Sequence, residues 1–206
     1  EMCIRDRFTS SLLKRILKFA PQRSIPRLYK ITLKSWLYNN PDMNKCNRKV
    51  YLFADEFTNY MDVEIGIKFI KLLRTLGYEV IIPKHLESGR TEISKGLLKK
   101  AKKIAEKNIL FLKDIVTEEI PLVGIEPSCI LSFRDEYPDL VDEELQGYAR
   151  KLSVNCLLYD EFIVREMRKG NIKQKQFTQS YLYIKLHGHC PVSYTHLRAH
   201  ETKANL

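Results

Sequence analysis

Two segments of this chain contain the residue types that could do chemistry, and the first surrounds Cys129. Cys129 follows Pro127 and Ser128 at the end of an apolar run and precedes a predicted helix. The N-terminus of a helix favours the thiolate form of cysteine, which binds iron or acts as a nucleophile. Arg134 could help to hold that negative charge. A buried structural cysteine at a turn between a strand and a helix is the alternative interpretation.

The second segment contains His187, His189 and Cys190. Side chains alternate in direction along an extended chain, so the two histidines are expected on one side and the cysteine on the other. Imidazole and thiolate are both good ligands for iron or zinc. A loop with polar surface histidines would explain the same residues without a metal.

Two weaker signals lie at the ends of other apolar runs. Gly89 permits a tight turn, and Arg90 beside it could hold an anion or a carboxylate. Glu126 comes directly after the run that precedes Cys129. Its carboxylate could face a site at this position or could form an ion pair with Arg90.

The cysteine count and two missing motifs limit the chemistry. The five cysteines are odd in number and widely spaced, which predicts no disulfide framework and favours a reducing compartment. No CxxC pair occurs, so closely spaced ligands cannot assemble a metal or cluster site. Neither GxGxxG nor GxxxxGK[ST] is present, so a flavin, if one takes part, is expected to bind elsewhere. The cysteines are Cys3, Cys46, Cys129, Cys156 and Cys190.

Charge is distributed unevenly along the 206 residues. Hydrophobic residues make up 44% of the chain and charged residues 29%, which is ordinary for a globular protein. Of the net charge of +10, residues 8–40 supply seven Lys and Arg with no Asp or Glu. Such a basic arm could contact an acidic partner, an anionic membrane or nucleic acid, or could be a solvated linker helix. We favour peripheral membrane contact over nucleic acid.

No signal peptide and no stretch near the roughly 18 apolar residues of a membrane span is evident. The sequence therefore predicts a cytoplasmic protein, with peripheral contact at the inner face of the membrane as a further location.

Short apolar runs separated by helical patterns predict the fold. The order β-α-β-α-β-α indicates an α/β fold with a doubly wound, mostly parallel sheet, preceded by a basic helical arm. Sites in such sheets gather in the loops after the strands, here residues 55–60, 83–94, 126–130 and 187–190. Strands are predicted at residues 50–54, 78–82, 121–125 and 181–186. Helices are predicted at 8–19 and 28–37, from residue 62 to a C-capping Gly77, after an N-capping Ser94 with Leu97 and Leu98 inside, and at 130–137, 142–155 and 158–169.

Four segments resemble the cysteine-rich (CCG) domain found in heterodisulfide reductase and in the iron–sulfur part of FAD-linked oxidases, such as the D-lactate dehydrogenase-like and glycolate oxidase enzymes. They are VYLFADEFTNY (50–60), GYEVIIPKHLESGRTEISKGLL (77–98), GIEPSCILSFRDEYPDL (124–140) and LHGHC (186–190). The resemblance implies that a flavin domain oxidises a 2-hydroxy acid and that electrons pass through 4Fe-4S clusters to a quinone or another acceptor. It implies Cys129 and Cys190 as cluster thiolates within about 10 Å of each other, with His187 and His189 beside them and Gly89, Arg90 and Glu126 nearby.

The implied partners are a flavin domain or subunit with its FAD, and a ferredoxin-like module. The chain departs from the family where Glu87-Ser88-Gly89-Arg90 replaces Cys-Cys-Gly-Arg and where Glu126-Pro-Ser-Cys129 replaces a CxxC. These departures favour an alternative, a non-catalytic scaffold that docks the flavin domain or a partner subunit.

The resemblance also predicts the domain organisation. Residues 1–7 and 191–206 match nothing in the family and resemble adapter sequence, so we expect them to be artefact-like tails. Between them we predict a basic arm or linker at 8–42, a first α/β repeat at 48–180 and the start of a truncated second repeat at 181–190. A fragment with these limits is expected to lack activity by itself.

Overall fold

Four parallel strands form the centre of the computed structural model, which describes residues 14–16, 18, 20, 22, 28–42 and 48–178. The spatial order is β2-β1-β3-β4, and every neighbouring pair is parallel. This arrangement confirms the predicted α/β fold with a parallel sheet. The strands are β1 (Arg48–Phe53), β2 (Tyr78–Ile81), β3 (Leu122–Gly124) and β4 (Cys156–Leu158).

Helices cover both faces of this sheet, as a parallel sheet requires. Alternate residues of β1 enter opposite cores: Val50 and Leu52 pack with one set of helices, and Phe53 packs with the other. The helices are α1 (Leu33–Asn39), α2 (Glu56–Tyr60), α3 (Val63–Thr75), α4 (Arg90–Ser94), α5 (Leu98–Leu112), α6 (Pro127–Ile130), α7 (Ser132–Asp135), α8 (Tyr137–Leu140), α9 (Glu143–Ser153) and α10 (Tyr159–Arg168), followed by a 3-10 helix at Gln174–Gln176. Residues 14–16 are also helical.

The helix α3 matches its sequence pattern closely. Val63, Ile70 and Leu73 are fully buried on one side of this helix. Gly77 follows the helix with a φ of +88°, the left-handed conformation that glycine adopts at helix ends. The predicted C-cap is therefore confirmed.

The prediction for the next long helix is wrong at its start. Ser94 is the last residue of α4 and not the N-cap of α5, whose N-cap is Leu97 with no side-chain hydrogen bond. Leu97 and Leu98 are 50% and 56% exposed, so they do not belong to the inner face. The buried side of α5 begins at Ala101.

The region between β3 and α10 also differs from the prediction. Three one-turn helices, α6 to α8, replace the single helix expected at residues 130–137. The strand β4 was missed altogether. A strand of three residues is too short for its periodicity to be told from that of a buried helix, and here it lies directly between two helices.

The helix α1 shows that part of the basic segment contributes to the core. Leu33 is fully buried, and a Cβ atom on Gly66 would lie 2.6 Å from its Cδ2 atom. Glycine at position 66 therefore allows α1 to approach α3 closely. The Lys34 N–H also donates to Asn59 Oδ1 at 3.1 Å.

Several sequence predictions lie outside the described residues. These are the fourth strand at 181–186, the segment His187 to Cys190, both tails and parts of the arm at 8–42, so the predicted domain limits remain predictions. Among the residues described, no helix combines the length and the apolar character needed to cross a bilayer.

Candidate functional site

The carboxyl ends of β1 and β3 lie side by side at the centre of the sheet. The chain winds outward from β1 to β2 on one side and from β3 to β4 on the other, which makes this the topological switch point where α/β sheets usually bind ligands. Asp55 and Glu56 follow β1, and the segment from Glu126 to Cys129 follows β3. With Ser88 from the loop after β2, Asp55, Glu56 and Cys129 form what we call the crevice cluster.

Ser88 connects the two sides of this cluster. Its side chain is fully buried, and its hydroxyl donates to Glu56 Oε1 at 2.8 Å. Its backbone N–H donates to Glu56 Oε2 at 3.3 Å. The turn continues through Gly89, whose φ of +73° favours glycine, into α4 at Arg90. Gly89 therefore makes the turn that the sequence predicted.

A buried amide and a buried phenol hold the loop that carries Ser88. Asn108 accepts from the Leu86 N–H at 2.7 Å and donates to the Glu87 carbonyl and to the Tyr137 hydroxyl, both at 2.9 Å. Tyr137 in turn donates to the Ser88 carbonyl at 2.9 Å. Since Asn108 and Tyr137 are both inaccessible to solvent, these bonds fix the loop without competition from water.

Asp55 begins α2 as its N-cap. Its carboxylate accepts from the Phe57 N–H at 2.9 Å and from the Thr58 N–H and hydroxyl at 2.8 and 2.5 Å. Burial raises the pKa of Asp55 to about 6, although these hydrogen bonds act in the opposite direction. The carboxyl group is therefore partly protonated in mildly acidic solution.

Of the two interpretations of Cys129, the described structure favours the buried cysteine. The side chain is fully buried in the first turn of the four-residue helix α6. Burial raises the pKa of its thiol, and the nearby charges of Glu56 and Asp55 raise it further, while hydrogen bonds with Ser88 and Ser128 lower it. Desolvation of the thiolate outweighs the short helix, so the described structure favours a neutral thiol.

Neither predicted partner of the two arginines is correct. Arg134 does not serve Cys129, because its Nη1 contacts both carboxylate oxygens of Glu161 at 2.9 and 2.7 Å. Arg90 forms its ion pair with Glu136 and not with Glu126. The Glu126 carboxylate instead caps α6 by accepting from the Ser128 N–H and hydroxyl.

His85 is a functional candidate that the sequence reasoning missed. It lies in the loop after β2 with its ring 4.5 Å from that of Phe53, and its Nδ1–H donates to the Leu86 carbonyl at 2.6 Å. Its Nε2 is buried and has no hydrogen-bond partner within the described part of the chain. Burial lowers the pKa of His85 to about 4, so the ring is neutral. The sequence signal for His85 was its position in residues 83–94, one of the four loops predicted to form a site.

The described residues do not fit an iron–sulfur cluster by themselves. A four-iron cluster needs several thiolates around the irons, whereas this part of the chain offers Cys129 and Cys156, both buried, with the pKa of both raised by burial. Within residues 14–16, 18, 20, 22, 28–42 and 48–178, no group of three or more His, Cys, Asp or Glu could hold a metal ion. Cys190, His187 and His189 lie outside these residues, so their distance from Cys129 stays a prediction.

Comparisons with known proteins give distant matches. The chain is 26% identical over 178 residues to a D-2-hydroxyglutarate dehydrogenase of Pantoea ananatis and 27% identical over 143 residues to that of Escherichia coli K12, alignments that cover 81% and 69% of this chain. It is 29% identical over 140 residues, 66% of the chain, to one of the subunits of the anaerobic glycerol-3-phosphate dehydrogenase of Escherichia coli K12. The alignments span only 16%, 13% and 35% of these three relatives. No protein-family model matches, and no solved structure matches significantly.

Proposed function

Since this chain is a distant homologue of the D-2-hydroxyglutarate dehydrogenases and of a subunit of anaerobic glycerol-3-phosphate dehydrogenase, we propose that it is part of an electron-transfer module. The module belongs to an iron–sulfur, FAD-linked oxidoreductase. Its substrate class is the 2-hydroxy acids, and its electrons pass to a quinone or another acceptor. The flavin lies on a domain or subunit outside this chain.

One observation carries this proposal: two dehydrogenases named for different substrates share the same region. Their alignments overlap, because they cover 81% and 66% of this chain. A region common to enzymes for D-2-hydroxyglutarate and for glycerol 3-phosphate is better suited to their shared task, the removal of electrons, than to recognition of either substrate. The designation of one relative as a subunit supports an assembly of several chains. In this proposal the partners are a flavin-bearing chain or domain and a ferredoxin-like module.

In this proposal the cluster ligands are Cys129 and Cys190, with His187 and His189 beside them. The bound cluster would supply one-electron transfer. The described residues would shape its surroundings: Gly89 turns the loop after β2, and Glu126 caps the helix that carries Cys129. The N–H of Arg90 donates to the Ser88 hydroxyl at 3.2 Å and so connects α4 to the crevice cluster.

A second candidate function is a non-catalytic scaffold that docks the flavin domain or a partner subunit. The buried state of Cys129 favours it, because a neutral thiol in a packed core is typical of a structural cysteine. The hydrogen bonds between Ser88 and Glu56 also fill space next to this thiol with protein groups.

The test compares three single substitutions in the complete gene product: Cys129→Ser, Cys190→Ser and, as a matched buried control, Cys156→Ser. Iron content, the electron paramagnetic resonance of the reduced protein and turnover with a 2-hydroxy acid are measured for each. We expect Cys129→Ser and Cys190→Ser to lose most of the iron and the signal, and Cys156→Ser to keep both.

The outcomes separate the two candidates. If Cys129→Ser keeps its iron while Cys190→Ser loses it, this half of the region is the scaffold. If the unmodified complete protein contains no iron, the electron-transfer proposal is wrong.

A further inference from the structure

The outer edge of β2 is an open edge of the sheet within the described part of the chain, where β2 pairs with β1 alone. The Tyr51 N–H donates to the Pro121 carbonyl on the β3 side, and successive residues of a strand direct their hydrogen-bonding groups to opposite sides. Val50 therefore bonds toward β2, and Val80, which lies opposite it, directs its own N–H and carbonyl to the outer edge. Such an edge is a template for pairing with a further strand.

The crossover helices of the sheet share one hand. The helix α3 carries the chain from β1 to β2 across one face, where Val63 and Ile70 are buried. The helices α5 and α9 carry it in the opposite direction, from β2 to β3 and on to β4, across the other face, where Ala105 and Leu152 are buried. Opposite directions across opposite faces have the same hand, and crossovers between parallel strands are right-handed in about 98% of cases.

The helix α10, which follows β4, lies on the same face as α3. Phe162 of α10 is buried in the core that also contains Val63 and Ile70. A right-handed crossover through α10 therefore moves from β4 back toward β2. Since β3 and β1 occupy the positions between them, the free position on this route is the outer edge of β2. A strand on the outer edge of β4 would require a left-handed crossover.

Contacts near the end of α10 show that the chain has crossed the sheet as far as β2. The hydroxyl of Tyr78, the first residue of β2, donates to Glu166 Oε2 at 2.7 Å. Ile172 is 2% exposed in the core on this face, and Phe177 packs against the same core. The chain therefore passes the amino end of β2 shortly before the strand predicted at 181–186, which can run parallel to β2 from there.

The sequence at 181–186, which lies outside the described residues, fits both sides of this edge. Alternation directs its three aliphatic side chains to one face and its two tyrosines and one lysine to the other. On the face of α3 and α10, Val80 is buried in the core. On the other face, Glu79 is 38% exposed and pairs with Lys49 at 3.4 Å. An aliphatic row beside Val80 and a polar row beside Glu79 match the two faces.

We propose that residues 181–186 form a fifth parallel strand, β5, on the outer edge of β2, so that the sheet order is β5-β2-β1-β3-β4. The segment from His187 to Cys190 then lies at the carboxyl edge of the sheet, beside the loop that carries His85. The axes of β5 and β3 are about 14 Å apart, at about 4.8 Å per strand. Cys190 therefore reaches Cys129 only by turning inward over that loop. Its role as a ligand rests on the proposed function, whereas the pairing of β5 with β2 does not.

Disulfide cross-linking of the full 206-residue chain tests the position of β5. Glu79→Cys is combined in turn with Tyr181→Cys, Tyr183→Cys or Lys185→Cys, which sample three registers on one face of β5. Neighbouring strands bring paired Cα atoms to about 5 Å, a separation that a disulfide can bridge. After mild oxidation, mass spectrometry of proteolytic fragments identifies the linked positions, including any link to a native cysteine.

Two controls use the same chemistry. Glu79→Cys with Ile184→Cys places the second thiol on the opposite face of β5. Leu157→Cys on β4, combined with each of the four cysteines of β5, tests the other edge of the sheet. Circular dichroism verifies that each variant is folded.

We expect one of the three same-face pairs to form its disulfide at least about tenfold faster than the opposite-face pair, because Cβ vectors that point apart cannot be bridged. No link should form to position 157. A link between position 157 and β5 would place this strand beside β4 and overturn the proposal. The absence of a link between position 79 and any of the three same-face positions in folded variants would also contradict it.

Hydrogen exchange measured by nuclear magnetic resonance gives a second test with no engineered cysteine. The Val80 amide should be protected in the unmodified chain, and Tyr183→Pro should speed its exchange at least about tenfold by removing strand pairing. Val123 in the central strand β3 should keep its protection in both proteins. A Val80 amide that exchanges rapidly in the unmodified chain would refute the pairing. Neither experiment measures iron, so failure of this proposal and failure of the proposed function are separate results.

Discussion

Cys129 and Cys156 are equally buried, yet they lie in different surroundings. Cys129 at the carboxyl end of β3 has Ser88 and Ser128 within hydrogen-bonding reach and two carboxyl groups nearby. Cys156 begins β4, where burial alone raises the pKa of its thiol and only the charge of Arg134 opposes it. Burial therefore raises the pKa of both thiols. Only the polar neighbours of Cys129 distinguish its surroundings from those of Cys156.

The largest predicted effect tests whether the buried polar network beside Cys129 holds the loop after β2. Asn108→Ala should lower the free energy of unfolding by about 3–4 kcal/mol, because the Leu86 N–H, the Glu87 carbonyl and the Tyr137 hydroxyl each lose a partner. Urea denaturation followed by circular dichroism measures the change.

A matched control lies beside the other cysteine. Asn155 precedes Cys156 and is also buried, but the hydrogen bond of its amide is a single local one to the Lys151 carbonyl at 3.2 Å. Asn155→Ala should cost about 1 kcal/mol. Equal losses for the two asparagines would contradict the view that the buried polar network is concentrated at the crevice.

The second prediction concerns the pH dependence of the crevice. The pKa of Asp55 is raised to about 6, so its folded carboxyl group keeps a proton that the unfolded chain releases from about pH 4 upward, and stability falls as pH rises through this window. The pKa of His85 is lowered to about 4, so between about pH 6.5 and pH 4 the unfolded chain binds a proton at this residue that the folded chain does not bind. Stability therefore rises with pH across this window. Each effect is on the order of 3 kcal/mol, and the two nearly cancel.

Single substitutions should reveal each contribution. Asp55→Asn keeps an N-cap and leaves His85, so stability should rise from pH 4 to 6.5. His85→Gln leaves Asp55, so stability should fall from pH 4 to 6. Urea unfolding at intervals across this range measures both slopes, and parallel profiles for the two variants would contradict the assignment.

The smallest predicted effect compares the two cysteines directly. The Cys156 thiol is fully buried, and no hydrogen bond contributes to its pKa, so Cys156→Ser should cost about 2 kcal/mol. Cys129→Ser should cost less than about 1 kcal/mol, because Ser88 and Ser128 can bond with the new hydroxyl. Thermal or urea unfolding of the two variants of this chain measures both losses of stability. A larger loss of stability in Cys129→Ser would mean that Ser88 and Ser128 keep their other hydrogen bonds and do not bond with the new hydroxyl.

Sequence reasoning worked where the signal was local. Val50, Leu52 and Phe53 reveal β1, and the apolar spacing from Val63 to Leu73 reveals α3, because a buried run or stripe is visible within a few residues. The three-residue β4 was missed, because it is shorter than the pattern that identifies a strand. Ser94 was misplaced because a capping residue type also occurs at the end of a helix.

For the candidate site, the sequence predicted the loops better than it predicted the protonation states of their side chains. It placed Gly89 in the loop after β2 and Glu126 after β3, and the structure agrees, whereas Cys129, expected before a helix, lies inside α6. It left a thiolate and a buried structural cysteine open at Cys129, and burial of the side chain favours the neutral thiol in the described structure. It also overlooked His85, because a single histidine in a loop carries no spacing signal.

The sequence by itself determined the α/β class, the homology to dehydrogenases and the loops that could form a site. These depend on residue patterns within short segments. Only the tertiary structure decided the partners: Ser88 with Glu56, Arg90 with Glu136 and Arg134 with Glu161 are 27–46 residues apart in the chain. Several side chains could have competed for each contact, and the packing of the sheet and its helices selects among them. The same packing excludes water from Cys129, and so sets the pKa of its thiol, which no short segment of the sequence encodes.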